Sequence, residues 1–311
     1  MKDDMNLRPM TSLDRSEVAE LIYVSLNYWY QARGRPAVFC GGPEVAGIFY
    51  DVYNALEPGC TVVAENPRTG RLMGSCFYHP RERHVSLGIM NVHPNYFGQG
   101  VARALLNHII DYTDRNGYEA LRLTQSAGNL DSFSLYTKAG FVPFRTYQDM
   151  LIHVPAEGMK APAPGVERVR DATLADVPAM AALEMELSGI ARERDYRYCI
   201  ANQLGMWHVS VYQNQSEEIE GFLISSKHPA SSRLGPCVAR SEPQALALIS
   251  SGLDRYRGGA TVVLAPADCK QLVQQMYAWG ARNCEICLGQ VRGKCKPIQG
   301  VNIPAFLPET G

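Results

Sequence analysis

The chain has 311 residues, 46% of them apolar and 20% charged, with 30 basic and 31 acidic side chains. That length makes two domains the natural expectation, and that composition is globular. A formal net charge of −1 excludes capture of nucleic acid or membrane by bulk electrostatics. No run approaches about 18 consecutive apolar residues, so no transmembrane helix is expected.

The first ten residues carry Lys2, Asp3, Asp4 and Arg8 with no apolar run behind them, which does not read as a secretory leader. Apolar spacing predicts a helix over 14–26 and a second over 43–56, where Val45, Ile48, Phe49, Val52 and Leu56 share a face. Strands are expected over 60–65 and 72–78, joined by the turn sequence Asn66-Pro-Arg-Thr-Gly70, and over 85–92. A helix over 99–115 buries Val101, Leu105, Leu106, Ile109 and Ile110 and ends at Asn116-Gly117. A strand over 120–125, a helix over 130–139 and a strand over 141–153 complete the first half. Strands and helices in this order make a mixed sheet flanked by helices.

Residues 154–165 hold three prolines and no apolar periodicity, and read as a linker between domains at 1–153 and 166–311. Beyond it the order recurs more loosely. Helices are expected over 176–187 and 194–204, strands over 207–213, 220–226 and 234–239, a helix over 243–256, a strand over 260–265, a helix over 267–279 and a strand over 283–291. Each half opens on the same pattern: Arg8-Pro-Met-Thr-Ser-Leu-Asp14 aligns without gaps on Arg170-Asp-Ala-Thr-Leu-Ala-Asp176. Both hold Thr-x-x-Asp before an apolar helix, a capping arrangement whose recurrence points to an internal duplication.

The stretch richest in chemistry is Ile89-Met-Asn-Val-His-Pro-Asn-Tyr-Phe-Gly-Gln-Gly-Val-Ala102. A strand ends at Val92, Pro94 stops its ladder, and Gly98 and Gly100 lead into a helix. Glycines permit tight turns and close approach of a ligand. The first helical N–H groups lack internal partners and sit at the positive end of the dipole, so the corner suits an anion such as a pyrophosphate. Short glycine motifs are common, and an ordinary strand–turn–helix has the same letters.

With its surroundings, the first half resembles the GNAT superfamily of N-acetyltransferases over about residues 5–150. Family members place V-x-P before [Q/R]-x-x-G-x-[G/A]; here Val92-His-Pro94 precedes Asn95-Tyr-Phe-Gly98-Gln-Gly100, with Asn95 departing from the usual Gln or Arg. The family's Asn…Tyr-x-x-x-Gly-Phe pattern appears as Asn129, Tyr136 and Gly140-Phe141. The resemblance implies an α+β fold of two tandem acyl-CoA N-acyltransferase (GNAT-like) domains, each a mixed, mostly antiparallel sheet flanked by helices. It implies acetyl-CoA as co-substrate, an amine of a small molecule as acceptor, and no metal. Backbone groups of Met90, Asn91 and Val92 would pair with the pantetheine arm. Amides of Phe97, Gly98, Gln99, Gly100, Val101 and Ala102 would hold the pyrophosphate. Asn129 would orient the pantetheine and Tyr136 would protonate the departing thiolate. An amine attacks only when neutral, so a base or a water chain is needed; His93 and His84 are the candidates, with Glu65 behind them. Tyr28, Trp29, Tyr30, Phe49, Tyr50 and Tyr53 lie where the family covers its acceptor, as core anchors or as a cation–π surface. A non-catalytic acetyl-CoA-binding module and a protein N-acetyltransferase are the competing readings.

The second half lacks these signals. Val238-Ala-Arg-Ser-Glu-Pro243 stands where the glycine loop should be. It has no glycine, Pro243 supplies no N–H and Glu242 puts a negative charge at the helix start. Cys269 and Met276 have the spacing of Asn129 and Tyr136. Tyr277 is one residue on and would face about 100° around its helix. This half reads as a degenerate copy. The nine cysteines are scattered and suit reduced thiols of a cytoplasmic protein. Cys284, Cys287 and Cys295 invite zinc, but a closed site wants four ligands and only three are near.

Overall fold

A computed structural model describes residues 5–305 and 307. The chain divides into two compact units. The first runs to Pro80 and resumes over His84–Leu121; the second takes in Arg81–Arg83 and Arg122–Ala305.

In the first unit, β1 (Asn6–Arg8), β2 (Thr61–Glu65), β3 (Leu72–Pro80) and β4 (His84–Val92) form an antiparallel meander in that order. Helices α1 (Arg15–Gln31) and α2 (Gly47–Leu56) precede β2, and α3 (Val101–Arg115) follows β4. Of the apolar stripe expected on α3, Val101, Leu105, Leu106 and Ile109 are buried, each such side chain contributing roughly 1.5–3 kcal/mol, while Ile110, at the margin of the stripe, is half-buried. Gly74 of β3 gives α3 its seat, since a Cβ there would lie 2.8 Å from Val101 Cγ1 and 3.1 Å from Leu105 Cδ1.

One irregularity matters for the site. Cys76 pairs with Met90 and Tyr78 with Leu87, so Gly88 and Ile89 of β4 together face the single residue Phe77. This is a β-bulge, which bends a strand and re-aims the residues beyond it. A side chain at Gly88 is barred there because its Cβ would meet the Phe77 carbonyl oxygen at 2.7 Å.

The second unit contains β5 (Ala120–Ser126, all but its first two residues), α4 (Leu130–Lys138), β6 (Val142–Val154), β7 (Val169–Asp171), α5 (Val177–Ser188), α6 (Glu193–Ala201), β8 (Trp207–Gln213), β9 (Ile219–His228), β10 (Ser231–Ala239), α7 (Glu242–Leu253), β11 (Gly259–Pro266), α8 (Lys270–Ala278), β12 (Arg282–Gly293) and β13 (Val301–Ile303). Its sheet has the order β5-β12-β6-β11-β10-β9-β8-β7, with β13 added to β10. Sequence neighbours do not pair at the centre. β6, from before the linker, lies between β11 and β12, antiparallel to both from Gly259↔Val154 and from Arg282↔Leu151. β12, in turn, lies beside β5, where Ala127 N–H donates to the Ile286 carbonyl at 2.8 Å. The closing strands of the two halves are exchanged, and the compact division falls at residues 121 and 122, ahead of the 154–165 stretch.

Each half of the sequence opens on the same device. In the first, the Arg8 fork donates to Asp14 at 2.8 and 2.8 Å while Thr11 N–H donates to Asp14 Oδ2 at 2.7 Å. In the second, Arg170 donates to Asp176 at 2.8 and 2.7 Å and Thr173 N–H to Asp176 Oδ2 at 2.7 Å. Both arginines commit Nε to the neighbouring strand, Arg8 to Glu65 and Arg170 to Gln213, at 2.7 Å each. The arginine hydrogen bonds hold each aspartate well below the usual carboxylate range, at about 2, against a burial cost.

The expected elements are present with three additions. β1, β7 and β13 have three residues each, too few for alternation to register. α1 also runs to Gln31 rather than ending at 26.

Candidate cofactor corner and its counterpart

The corner after β4 is built from backbone. Pro94–Tyr96 forms one 3₁₀ turn, Gly98 has φ +76° and Gly100, the residue before α3, has φ +88°. Side chains are strained in this left-handed region, which glycine enters freely. Neither glycine has any atom within 4 Å of where a Cβ would sit, so both face open space. Ala104 N–H donates to the Gly100 carbonyl at 3.0 Å and begins the helical ladder. Among the described residues, the amides of Gly98, Gly100, Val101, Ala102 and Arg103 have no backbone acceptor. The first turn holds no acidic residue, and the exposed Arg103 lies within it. These bare amides at a positive helix end form the arrangement that binds phosphate.

The other candidates of this unit fall into place around the corner. Met90, Asn91 and Val92 follow the bulge and pair with Cys76, Ser75 and Gly74. Asn91 is buried, and its Oδ1 accepts from Ser25 Oγ at 2.8 Å. Phe97 is 51% exposed and meets Tyr28 edge-on, ring centroids 5.8 Å apart. Gln99 donates from Nε2 to the Asn95 carbonyl at 3.1 Å and braces the loop. Of the aromatic cluster, Phe49, Tyr50 and Tyr53 are core, with Tyr53 stacked on Phe77 at 4.7 Å.

His93 caps the 3₁₀ turn: Asn95 N–H donates to its Nδ1 at 3.2 Å. A neutral ring that accepts at Nδ1 carries its proton on Nε2, so it accepts a proton only by giving up the cap. His84 is buried beside Ser86, 3.3 Å from Nε2 to Oγ, at the opposite end of β4. It and Val92 are the two ends of this nine-residue strand, roughly 26 Å apart by strand rise.

In the second unit, Asn129 is the N-cap of α4, its Oδ1 accepting from Ser132 N–H at 3.2 Å. Its Nδ2 is the group left to donate elsewhere. Tyr136 is 6% exposed, packed at 5.7 Å against Phe141. At the matching positions Cys269 and Met276 are buried, and Tyr277 turns outward to donate to Gln148 Oε1 at 2.7 Å.

The strand-to-helix corner of this unit is closed. α7 begins on a capping box of Ser241 and Gln244, with Pro243 at its start, and Ser241 N–H donates to Gln244 Oε1 at 2.9 Å. Glu242 puts a carboxylate in the first turn and accepts from Leu272 N–H at 2.7 Å. β10 and β11 pair only at Arg233↔Val262; beyond that point β13 lies on β10, Cys237↔Ile303, Val238↔Asn302 and Ala239↔Val301. The β13 strand and the closed corner were not foreseen from sequence, although Pro243 and Glu242 signalled the loss of an anion site. Among the described residues, no three His, Cys, Asp or Glu side chains gather as a metal site, and no helix is long and apolar enough to cross a membrane.

Residues 25–141 match the model of the acetyltransferase (GNAT) family. Solved structures extend the likeness in fold to nearly the whole chain. A protein of Pyrococcus horikoshii assigned as an acetyltransferase superposes with a TM-score of 0.76 at 16% identity, covering 98% of this chain and 95% of that one. A tandem GNAT protein from the clavulanic acid biosynthesis pathway gives 0.60 at 16% identity over 93% and 98%. A GCN5-related N-acetyltransferase from Sphaerobacter thermophilus gives 0.60 at 18% identity over 96% and 97%. Among curated proteins, the UPF0157 protein YqkA of Bacillus subtilis is 32% identical over 74 residues, 24% of this chain. The chain spans about a fifth of the length of that relative, 21%.

Proposed function

We propose that the chain is an acetyl-CoA-dependent N-acetyltransferase whose acceptor is a primary amine of a small molecule. The observation that carries this reading is the corner between β4 and α3: open glycines, unpaired amides and no acid in the first turn. A thioester supplies an activated acetyl group with a thiolate leaving group. On this reading the amides of Gly98, Gly100, Val101 and Ala102 hold the pyrophosphate. Those of Phe97 and Gln99 donate to the Pro94 and Tyr96 carbonyls at 3.2 and 3.4 Å and brace the loop instead. The backbone of Met90, Asn91 and Val92 takes the pantetheine arm as an added strand. Asn129, its Oδ1 committed to the α4 cap, orients the arm through Nδ2. Tyr136 donates its phenolic proton to the leaving sulfur; an unperturbed phenol, with pKa about 10, holds that proton at neutral pH. Neither histidine is assigned the base, given the cap at His93 and the remote position of His84, and the amine loses its proton to water.

The same reading makes the second half of the sequence, residues 166–311, a copy that has lost its cofactor site. Its helix start is satisfied by Ser241 and Gln244, and β13 covers the strand segment matching Met90–Val92. The test is calorimetric titration of the full chain with acetyl-CoA, coupled to a coenzyme A release screen over amino acids, polyamines, aminoglycosides and peptides. One site per chain and turnover with small amines are expected. Two equivalent sites would overturn the degenerate copy, binding without turnover would favour a regulatory module, and turnover of peptides alone would favour a protein acetyltransferase.

A further inference from the structure

The turn that carries Asn129 is held by a strand from the other half of the sequence. β5 ends at Ser126 and α4 begins at Leu130, so only Ala127 and Gly128 separate the strand from the Asn129 cap. Each amide of this turn has an acceptor. Ala127 N–H donates to the Ile286 carbonyl of β12 at 2.8 Å, and Asn129 N–H donates to the Ser126 carbonyl at 3.1 Å. Gly128 N–H donates to Ser126 Oγ at 3.1 Å, and that hydroxyl donates in turn to Glu285 Oε1 at 2.5 Å. All of these residues lie in the second unit.

The relay has a direction. A hydroxyl has one proton to give, and an ionised carboxylate only accepts. Glu285 therefore takes the Ser126 proton and leaves a lone pair for Gly128. A charged acceptor makes such a bond roughly twice as strong as a neutral one. The sheet by itself supplies no reason for a carboxylate at this point. The register partner of Glu285 on β6 is Asp149, and like charges opposite one another destabilise paired strands. β12 also steps its register by one residue, the exposed Cys284, between Asn283 and Glu285. A bulge of this kind re-aims a side chain.

The matching turn of the other half is anchored in the same way, by the other exchanged strand. Ala267 N–H, two residues before Cys269, donates to the Thr146 carbonyl of β6 at 2.9 Å. Arg145 precedes Thr146 as Glu285 precedes Ile286, and it donates to Asp268 at 3.1 and 3.1 Å. Each closing strand thus sends one carbonyl and one charged side chain to the turn of the half it joins. One turn leads to Asn129 and Tyr136, the other to Cys269 and Met276.

We propose that Glu285 is a positioning residue for the cofactor: acting through Ser126, it sets the turn that aims Asn129 Nδ2. A strand of the half without a phosphate corner then tunes the cofactor affinity of the half that has one. This rests on the acetyltransferase reading for the role of Asn129, while the anchored turn stands on its own hydrogen bonds. Groups that orient a binding side chain have to fix it within about 0.5 Å, and a turn of two residues leaves little slack between the anchor and the amide.

The experiment is calorimetric titration of coenzyme A into the full chain, for wild type, Glu285→Ala, Glu285→Gln, Asn129→Ser and the double variant Glu285→Ala/Asn129→Ser. Serine keeps the helix cap and removes the amide donor. Glu285→Ala should weaken coenzyme A binding by about 3–10-fold, the worth of one hydrogen bond. Glu285→Gln keeps an acceptor for Ser126 and should recover most of that loss. In the double variant the losses should not add: binding should match Asn129→Ser alone, because Glu285 acts through that side chain. Ser126→Ala breaks the same relay from β5 and should give the same loss; it takes the place of Glu285→Ala, alone and with Asn129→Ser, where that variant fails to fold. Wild-type affinity in Glu285→Ala or Ser126→Ala, or losses that add in the double variant, would overturn the positioning role and leave the acetyltransferase reading intact. A wild-type chain that does not bind coenzyme A would overturn that reading and the proposal with it.

Discussion

The two strand-to-helix corners, one before α3 and one before α7, start from the same geometry and reach opposite chemistry. Both place the first turn of a helix at the end of a meander strand, where amides without internal partners create a positive end. Before α3 those amides are unpaired, Gly98 and Gly100 keep side chains out of the way, and the first turn carries no acid. Before α7 the side chains of Ser241 and Gln244 answer the backbone, and the Glu242 carboxylate holds Leu272 N–H. A well-capped helix is the more stable local solution by about 1 kcal/mol. An anion site therefore requires that such capping be withheld, as it is before α3 and not before α7.

The comparison breaks most directly at Gly100. Gly100→Glu adds a side chain at φ +88° and a negative charge where phosphate must approach. Acetyl-CoA affinity should fall below detection by calorimetry, while circular dichroism shows a folded chain. Unchanged affinity in a folded variant would remove the corner from the site.

A second test separates the helix faces rather than their starts. Tyr136 stands where the second half of the sequence has Met276, and both are buried. Tyr136→Phe keeps the ring against Phe141 and removes the hydroxyl. General acid catalysis is typically worth ~10²–10⁴ in rate, so turnover should drop by at least about tenfold with little change in acetyl-CoA affinity. Wild-type turnover would show that the phenol only packs, as Met276 does.

The smallest effect tests the device the units still share. Asp14 and Asp176 are held at about 2 by Arg8 and Arg170. A carboxylate depressed on folding contributes stability above its unfolded pKa, near 3.9, and loses it as pH falls toward 2. Asp14→Asn and Asp176→Asn should each cost about 1–3 kcal/mol at pH 7. Each should also flatten the decline in stability between about pH 4 and pH 2, measured by urea unfolding across that range. Unequal costs would show that the shared opening device has diverged.

Much of this contrast was legible in the letters. The gapless match of Arg8–Asp14 on Arg170–Asp176 announced the repeated device, and Pro243 and Glu242 announced a corner hostile to phosphate. Local signals of this kind depend on residues a few positions apart. The bulge at Gly88 was not legible, because it depends on the Phe77 carbonyl across the strand pair. Nor was the exchange of β6 and β12, which turns on which edges meet rather than on any alternation. Glu285 gave no signal either: a glutamate within an alternating strand reads as an exposed face until the Ser126 hydroxyl beside it is known. His93 read as a possible base from its place beside the loop, but the hydrogen bond from Asn95 that commits its Nδ1 is a matter of rotamer and turn.

The exchange of the closing strands has a genetic consequence. β6 is encoded before the linker yet has both of its edges covered by strands encoded after it, β11 and β12. A gene cut at codons 154–165 would yield one product with a long strand bare on both edges and another with a vacant slot in the middle of its sheet. Neither piece could be handed to a new partner by fusion or recombination without first solving that exposed edge. The two halves are thus tied together by their own topology, since neither keeps its strand edges covered without the other.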